Sequence, residues 1–147
     1  SFGGDVGLTL RRVRFDDAQL LYQWRVADES TADWWEGKPV SWDEHRLWLA
    51  DRLDSPSVKL WVADLDGEPI GHARLDSNGE LSVRIEEKRR GLEFGTQLID
   101  AASQLALDAG HARVKACVDQ TNIAGRRAFL KAGFEERPDV KFFLWRP

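Results

Sequence analysis

Cysteine is almost missing from this chain, with one residue, Cys117, in 147. A single thiol excludes an internal disulfide framework and any metal site built from several cysteines. Methionine is absent, even at position 1, so Ser1-Phe2-Gly3-Gly4 reads as a processed end and residues 1–7 as a disordered lead-in. No apolar run reaches the roughly 18–20 residues that a membrane-spanning helix needs, and no segment has the order of a signal peptide. A cytoplasmic protein without a membrane partner is expected. Excess positive charge is lacking too: 21 basic residues face 25 acidic ones, for a net charge of -4. That balance does not suggest a general nucleic-acid binder. What remains is ample for a core, since 42% of residues are hydrophobic and seven Trp and seven Phe are among them. The length fits a single domain over 1–147.

Local patterns order that domain. Leu8 to Val13 alternates apolar and polar residues, as a half-buried strand does. Asp16-Asp17 offers an N-cap to a helix carrying Leu21, Tyr22 and Val26 at helical spacing. Asp28 to Val40 is irregular. Ser41-Trp42-Asp43-Glu44 forms a capping box that opens a helix ending near Asp54-Ser55-Pro56. The period then changes. Val58–Ala63, Pro69–Leu75 and Leu81–Ile85 read as antiparallel strands, joined by the turn signals Asp66-Gly67 and Asn78-Gly79. A helix over Phe94–Asp108 stops at Gly110, a strand covers Val114–Val118, and a helix over Asn122–Lys131 stops at Gly133. Val140–Trp145 is a terminal strand. The fold class is mixed α/β, a mostly antiparallel central sheet with flanking helices and a βαβ crossover.

Two stretches carry chemistry. Arg89-Arg90-Gly91-Leu92-Glu93-Phe94-Gly95-Thr96 lies between a strand and a helix. There the unpaired N–H groups of a helix N-terminus can hold a phosphate. Asn122-Ile123-Ala124-Gly125, with Phe129-Leu130-Lys131-Ala132-Gly133-Phe134 behind it, is the second. In this order, on these elements, the two resemble the GNAT family of acyl-CoA-dependent N-acyltransferases over nearly the whole chain from Leu8. The resemblance implies acetyl-CoA as co-substrate. It implies that the pyrophosphate is held by backbone N–H groups of Gly91, Leu92, Phe94, Gly95 and Thr96, that Asn122 and Phe129 line the pantetheine and thioester end, and that Arg90, Glu93, Val83 and Ile85 also belong to the cofactor site. It also implies that acyl-CoA fits like an added strand between Leu81–Ile85 and Val114–Val118.

Two positions depart from the family's pattern. Glu93 stands where a glycine is usual and brings negative charge towards a pyrophosphate, opposed by Lys88, Arg89 and Arg90. Phe129 stands where many members have the Tyr that protonates the leaving thiolate. The resemblance implies an enzyme that moves an acetyl group from acetyl-CoA to a primary amine of a small polar acceptor; the alternative, which these two residues favour, is a non-catalytic GNAT-like binding or interaction module. Glu80, on one face of the fourth strand with Ser82, is the candidate base for the amine. His72 and His111 read as structural. For the acceptor, Trp24-Arg25 and Ser41-x-x-Glu44-His45-x-x-Trp48 resemble enzymes that acetylate amino sugars on nucleotides, such as those of the pseudaminic acid pathway, though Val26 replaces their Asn. Trp34-Trp35-Glu36-Gly37 is similar to aminoglycoside 6′-acetyltransferases, whose polycationic substrates Asp28, Glu29, Asp33 and Glu36 would suit. The expected partner is a small-molecule amine held by Trp24, Arg25, Trp34, Trp35, His45 and Trp48, with the chain a monomer or homodimer.

Overall fold

The computed structural model describes residues 7–27, 40–91, 93–118 and 121–137, and the backbone of 143–146. The irregular segment with Trp34 and Trp35, residues 1–6 of the expected disordered lead-in 1–7, and Leu92 lie outside the described residues, whereas Gly7 is ordered, its carbonyl accepting the Asp66 N–H at 3.1 Å. The elements follow in the order β1 (Leu8–Arg12), α1 (Ala18–Ala27), α2 (Trp42–Asp54), β2 (Lys59–Leu65), β3 (Glu68–Leu75), β4 (Leu81–Ile85), α3 (Phe94–Asp108), β5 (Val114–Cys117), α4 (Ile123–Lys131), β6 (Glu135–Arg137) and β7 (Phe143–Arg146).

Strands β1-β2-β3-β4 pair antiparallel in that order, and β5-β7-β6 form a second antiparallel sheet. Alternation along β2 feeds two cores, because successive side chains leave a strand on opposite faces. Leu60 and Val62 pack with Leu21 and Trp24 of α1 and Leu49 of α2. Trp61 and Ala63 join Leu81, Ile85, Leu98, Ile99, Val114 and Phe129. The sheet is thus covered by α1 and α2 on one side and by α3 and α4 on the other.

Strand β6 has no counterpart in the sequence reading. Glu135, Glu136 and Arg137 have no apolar alternation, and the strand exists through its pairing with β7. The turns also differ in kind. Asp66 and Gly67 both have positive φ, 51° and 87°, as a two-residue primed hairpin requires. At the next hairpin only Gly79 has positive φ, 84°. Its N–H donates to the Asp76 carbonyl, and the Asp76 N–H donates to the Glu80 carbonyl, which makes a longer turn closed by a glycine bulge.

Asp17 has a different task from the expected helix cap. It ends a 3₁₀ turn, Phe15–Asp17, and its carboxylate accepts the Arg14 N–H at 2.8 Å. Both its oxygens also accept from the Arg11 guanidinium at 2.9 Å, and Arg11 Nε donates to Asp64 on β2 at 3.0 Å. Burial pushes the Asp17 carboxyl up, but Arg11 and the Arg14 N–H outweigh it and hold it below its ordinary value. One fork therefore fixes the start of α1 to two strands. Asp17→Ala leaves that fork and a backbone donor without their acceptor, and is expected to cost about 2–3 kcal/mol of unfolding free energy. Urea denaturation measures it, and a loss below about 0.5 kcal/mol would show that the fork does not anchor α1.

Candidate functional site

Strands β4 and β5 touch at one place. Glu80 and Lys115 form a parallel bridge, with the Lys115 N–H donating to the Gly79 carbonyl at 3.0 Å. Among the described residues the two strands then pair no further, because β4 continues against β3 and β5 against β7. The crossover is thus parallel, as expected, but it opens into a wedge. Backbone donors and acceptors on the facing edges of an open pair are a template for a strand-like ligand.

The loop at the open end is tied down by its own side chains. Arg90 Nε donates to the Ile85 carbonyl at the end of β4, at 2.8 Å. Arg89 donates to Glu68 at 2.6 Å and stands 3.7 Å from Glu86. Gly91 has φ 82° and Glu93 φ 67°. A left-handed backbone is the state that glycine takes without penalty, so the residue where the family has glycine keeps a glycine's conformation. In that conformation the Glu93 side chain makes no capping bond. The first turn of α3, Phe94-Gly95-Thr96, has no carbonyl four residues back within the helix for its N–H groups, so it keeps the positive pole that attracts anions. A Cβ on Gly95 would lie 3.8 Å from Ala128 Cβ, an ordinary contact, so packing alone does not demand glycine there.

Glu93 is not balanced by Lys88, Arg89 or Arg90. Its carboxylate takes a hydrogen bond from Lys131 Nζ at the end of α4, at 2.7 Å. The sequence places Lys131 in the Phe129–Phe134 motif but gives no sign of its pairing with Glu93.

Asn122 caps α4, its Oδ1 accepting the Gly125 N–H at 2.9 Å. A Cβ on Gly125 would sit 2.5 Å from Asn122 Nδ2, so that glycine belongs to the cap. Phe129 is buried and meets Phe134 edge to face, with ring centroids 5.0 Å apart. Val83 and Ile85 point into the same core. Glu80 sits at the closed end of the wedge, half-buried, its N–H donating to Asn78 Oδ1.

The expected acceptor residues divide. Trp24 is buried against His72, with the Arg84 guanidinium over its ring at 5.3 Å. His45 has no exposed surface and lies inside the α1–α2 interface. His45 Nε2 is 3.0 Å from the Ala18 carbonyl and Nδ1 is 3.4 Å from Arg25 Nη1, so a neutral ring donates from one nitrogen and accepts at the other. Arg25 is buried beside it and also stands 5.5 Å from the Trp48 ring. Trp42, His45 and Trp48 stack in sequence along α2, at 6.0 and 5.7 Å. Their spacing is a packing ladder between α1 and α2. An open groove of about 450 Å³ lies on its outer side, lined by Gln19, Tyr22, Gln23 and Trp42. Tyr22, the lone tyrosine, meets Trp42 edge-on there and donates to the Val40 carbonyl.

Comparison with known proteins adds the following. The family described as Acetyltransferase (GNAT) matches residues 20–134. The aminoglycoside N(6')-acetyltransferases type 1 of Klebsiella pneumoniae and Serratia marcescens are each 29% identical over 157 aligned positions, covering 90% of this chain and 76% of theirs. A solved structure of the aminoglycoside acetyltransferase AAC(6')-Ib with coenzyme A superposes with a TM-score of 0.80 at 24% identity, covering 95% of this chain and 94% of that one. Spermidine N-acetyltransferase from Vibrio cholerae, with CoA and spermine, gives 0.82 at 17% identity, with coverages of 95% and 94%.

The buried histidines set an acid limit on this architecture. Burial, assisted by Arg25 and against the Ala18 carbonyl, lowers His45 to about 4. Burial, with Arg84 close by, lowers His72 as well. An unfolded histidine takes up its proton near pH 6.5, so between there and about pH 4 the unfolded state binds more protons and stability falls as pH falls. His45 alone is expected to remove about 2 kcal/mol by pH 5, with no further loss from it below about pH 4. Denaturation midpoints across pH 7.5 to 4 measure this; a flat profile between pH 6.5 and 5 would contradict the neutral, buried assignment.

Proposed function

Because the chain belongs to the acetyltransferase (GNAT) family and is an acetyl-CoA-dependent N-acetyltransferase, we propose that its acceptor is a primary amine on a small polar amino sugar of the aminoglycoside kind, with the acyl-CoA lying between β4 and β5. The observation that carries this reading is the wedge. Two strands part after one bridge, and α3 begins without a side-chain cap shortly after the end of β4. The pyrophosphate would lie on the N–H groups of Phe94, Gly95 and Thr96 with Gly91 in the turn before them, and the pantetheine would run along β4 towards Glu80. Thioester and amine would then meet at the closed end.

The acceptor class is supported by the two curated relatives, both named for aminoglycosides. The nucleotide-sugar reading loses one of its supports, since His45 serves the α1–α2 interface. The reaction is direct. The amine, once deprotonated, attacks the thioester carbonyl; the tetrahedral intermediate expels the CoA thiolate, and the amide forms. Glu80 is the group we assign to take up the amine proton, directly or through water. Phe129 has no proton to give. A thiolate whose acid has a pKa of about 8.5 is a fair leaving group without one.

Calorimetry with acetyl-CoA, followed by transfer assays on kanamycin, spermidine and a nucleotide-linked amino sugar, tests this. Binding and turnover with the first are expected. Lack of binding at millimolar acetyl-CoA would overturn the cofactor assignment, and turnover confined to the nucleotide sugar would overturn the acceptor.

Phe129→Tyr is the second test. If thiolate protonation limits the rate, kcat rises on the order of tenfold, within the reach of one general acid. An unchanged kcat in a folded variant would show that the thiolate leaves unaided.

A further inference from the structure

We propose that Glu93 is an internal competitor for Lys131, holding back a cation that would otherwise pair with the phosphates of the bound cofactor. The inference rests on the acyl-CoA reading given above. Three observations carry it. Glu93 immediately precedes the first turn of α3, and its carboxylate makes no hydrogen bond to the N–H groups there. The carboxylate instead accepts from Lys131 Nζ at 2.7 Å, with the two side chains 61% and 60% exposed, so the pair is held loosely and can exchange partners. Lys131 is three residues from Ala128 on α4, and Ala128 is the neighbour that a Cβ on Gly95 would touch. The ammonium is therefore hung beside the anion-accepting pole of α3, already tethered to an anion belonging to the protein.

The two arginines of the loop are committed differently. Arg89 pairs with Glu68 and Glu86, and Arg90 with the Ile85 carbonyl. Lys131 has as its partner an exposed carboxylate at the loop itself. A phosphate arriving there can draw Lys131 from Glu93, leaving the carboxylate to water. Removing the carboxylate charge would deliver Lys131 to the phosphates without that exchange. Glu93 in this view sets cofactor affinity, and it acts through Lys131 rather than by touching the cofactor.

A double-mutant cycle on the whole chain, with CoA as the calorimetric probe, tests the point. Glu93→Gln is expected to tighten CoA roughly fivefold with Lys131 present and less than about twofold in a Lys131→Met background, the scale of one exposed ion pair. Its affinity should also fall more steeply with added salt, as a new charge contact requires. Glu93→Gly, which suits the left-handed backbone, keeps the test valid if Gln perturbs the loop. An equal gain in both backgrounds, or no gain in either Glu93 variant, overturns the inference while leaving the cofactor assignment standing. Failure of the parent chain and of every variant to bind CoA overturns both.

Discussion

The single bridge between Glu80 and Lys115 is the constraint on which the site depends. Two strands in register would satisfy one another and leave nothing for a ligand. Here they cannot stay in register. Strand β4 is drawn along β3 and, through Leu81, Val83 and Ile85, against α3; β5 is drawn to β7. The wedge is thus maintained by packing on either side of it. Loop, helix pole and α4 cap are arranged around its open end by the same packing.

The far face of the sheet works by another rule. It buries polar and charged groups, each held by geometry: the Arg11 fork on Asp17 and Asp64, and His45 between Ala18 and Arg25. Such groups add specificity more than raw stability, because desolvation offsets much of what their contacts return. They fix the angle at which α1 and α2 cross the sheet, and so fix the groove beside Tyr22 and Trp42.

Legibility in the sequence tracked how local the cause was. The box of Ser41 and Glu44 was readable to the residue, because each side chain bonds the other's backbone across three positions. Strand β4 and helix α3 were readable to their ends, since alternation and helical spacing both stop sharply there. The wedge and its loop were legible through the family pattern, and Glu93 through its departure from it. Distant causes were not. Lys131 meets Glu93 across 38 positions, by the packing of two helices. The tryptophans and His45 made an attractive acceptor motif, yet composition cannot say which face of a helix is covered. Three of the four residues Trp24, Arg25, His45 and Trp48 are buried, and the fourth is partly so.

Strand β6 has a consequence for how the molecule behaves among its copies. Among the described residues it forms the outer edge of its sheet, and Glu135, Glu136 and Arg137 are all exposed. Charged, three-residue edges repel the strand-on-strand growth that leads to aggregation. The sheet therefore has one guarded border and one receptive border, and the receptive one, β5, is turned towards the interior wedge rather than out to a neighbouring molecule. Appetite for an added strand is kept where a small molecule can meet it and a second protein chain is poorly placed to do so.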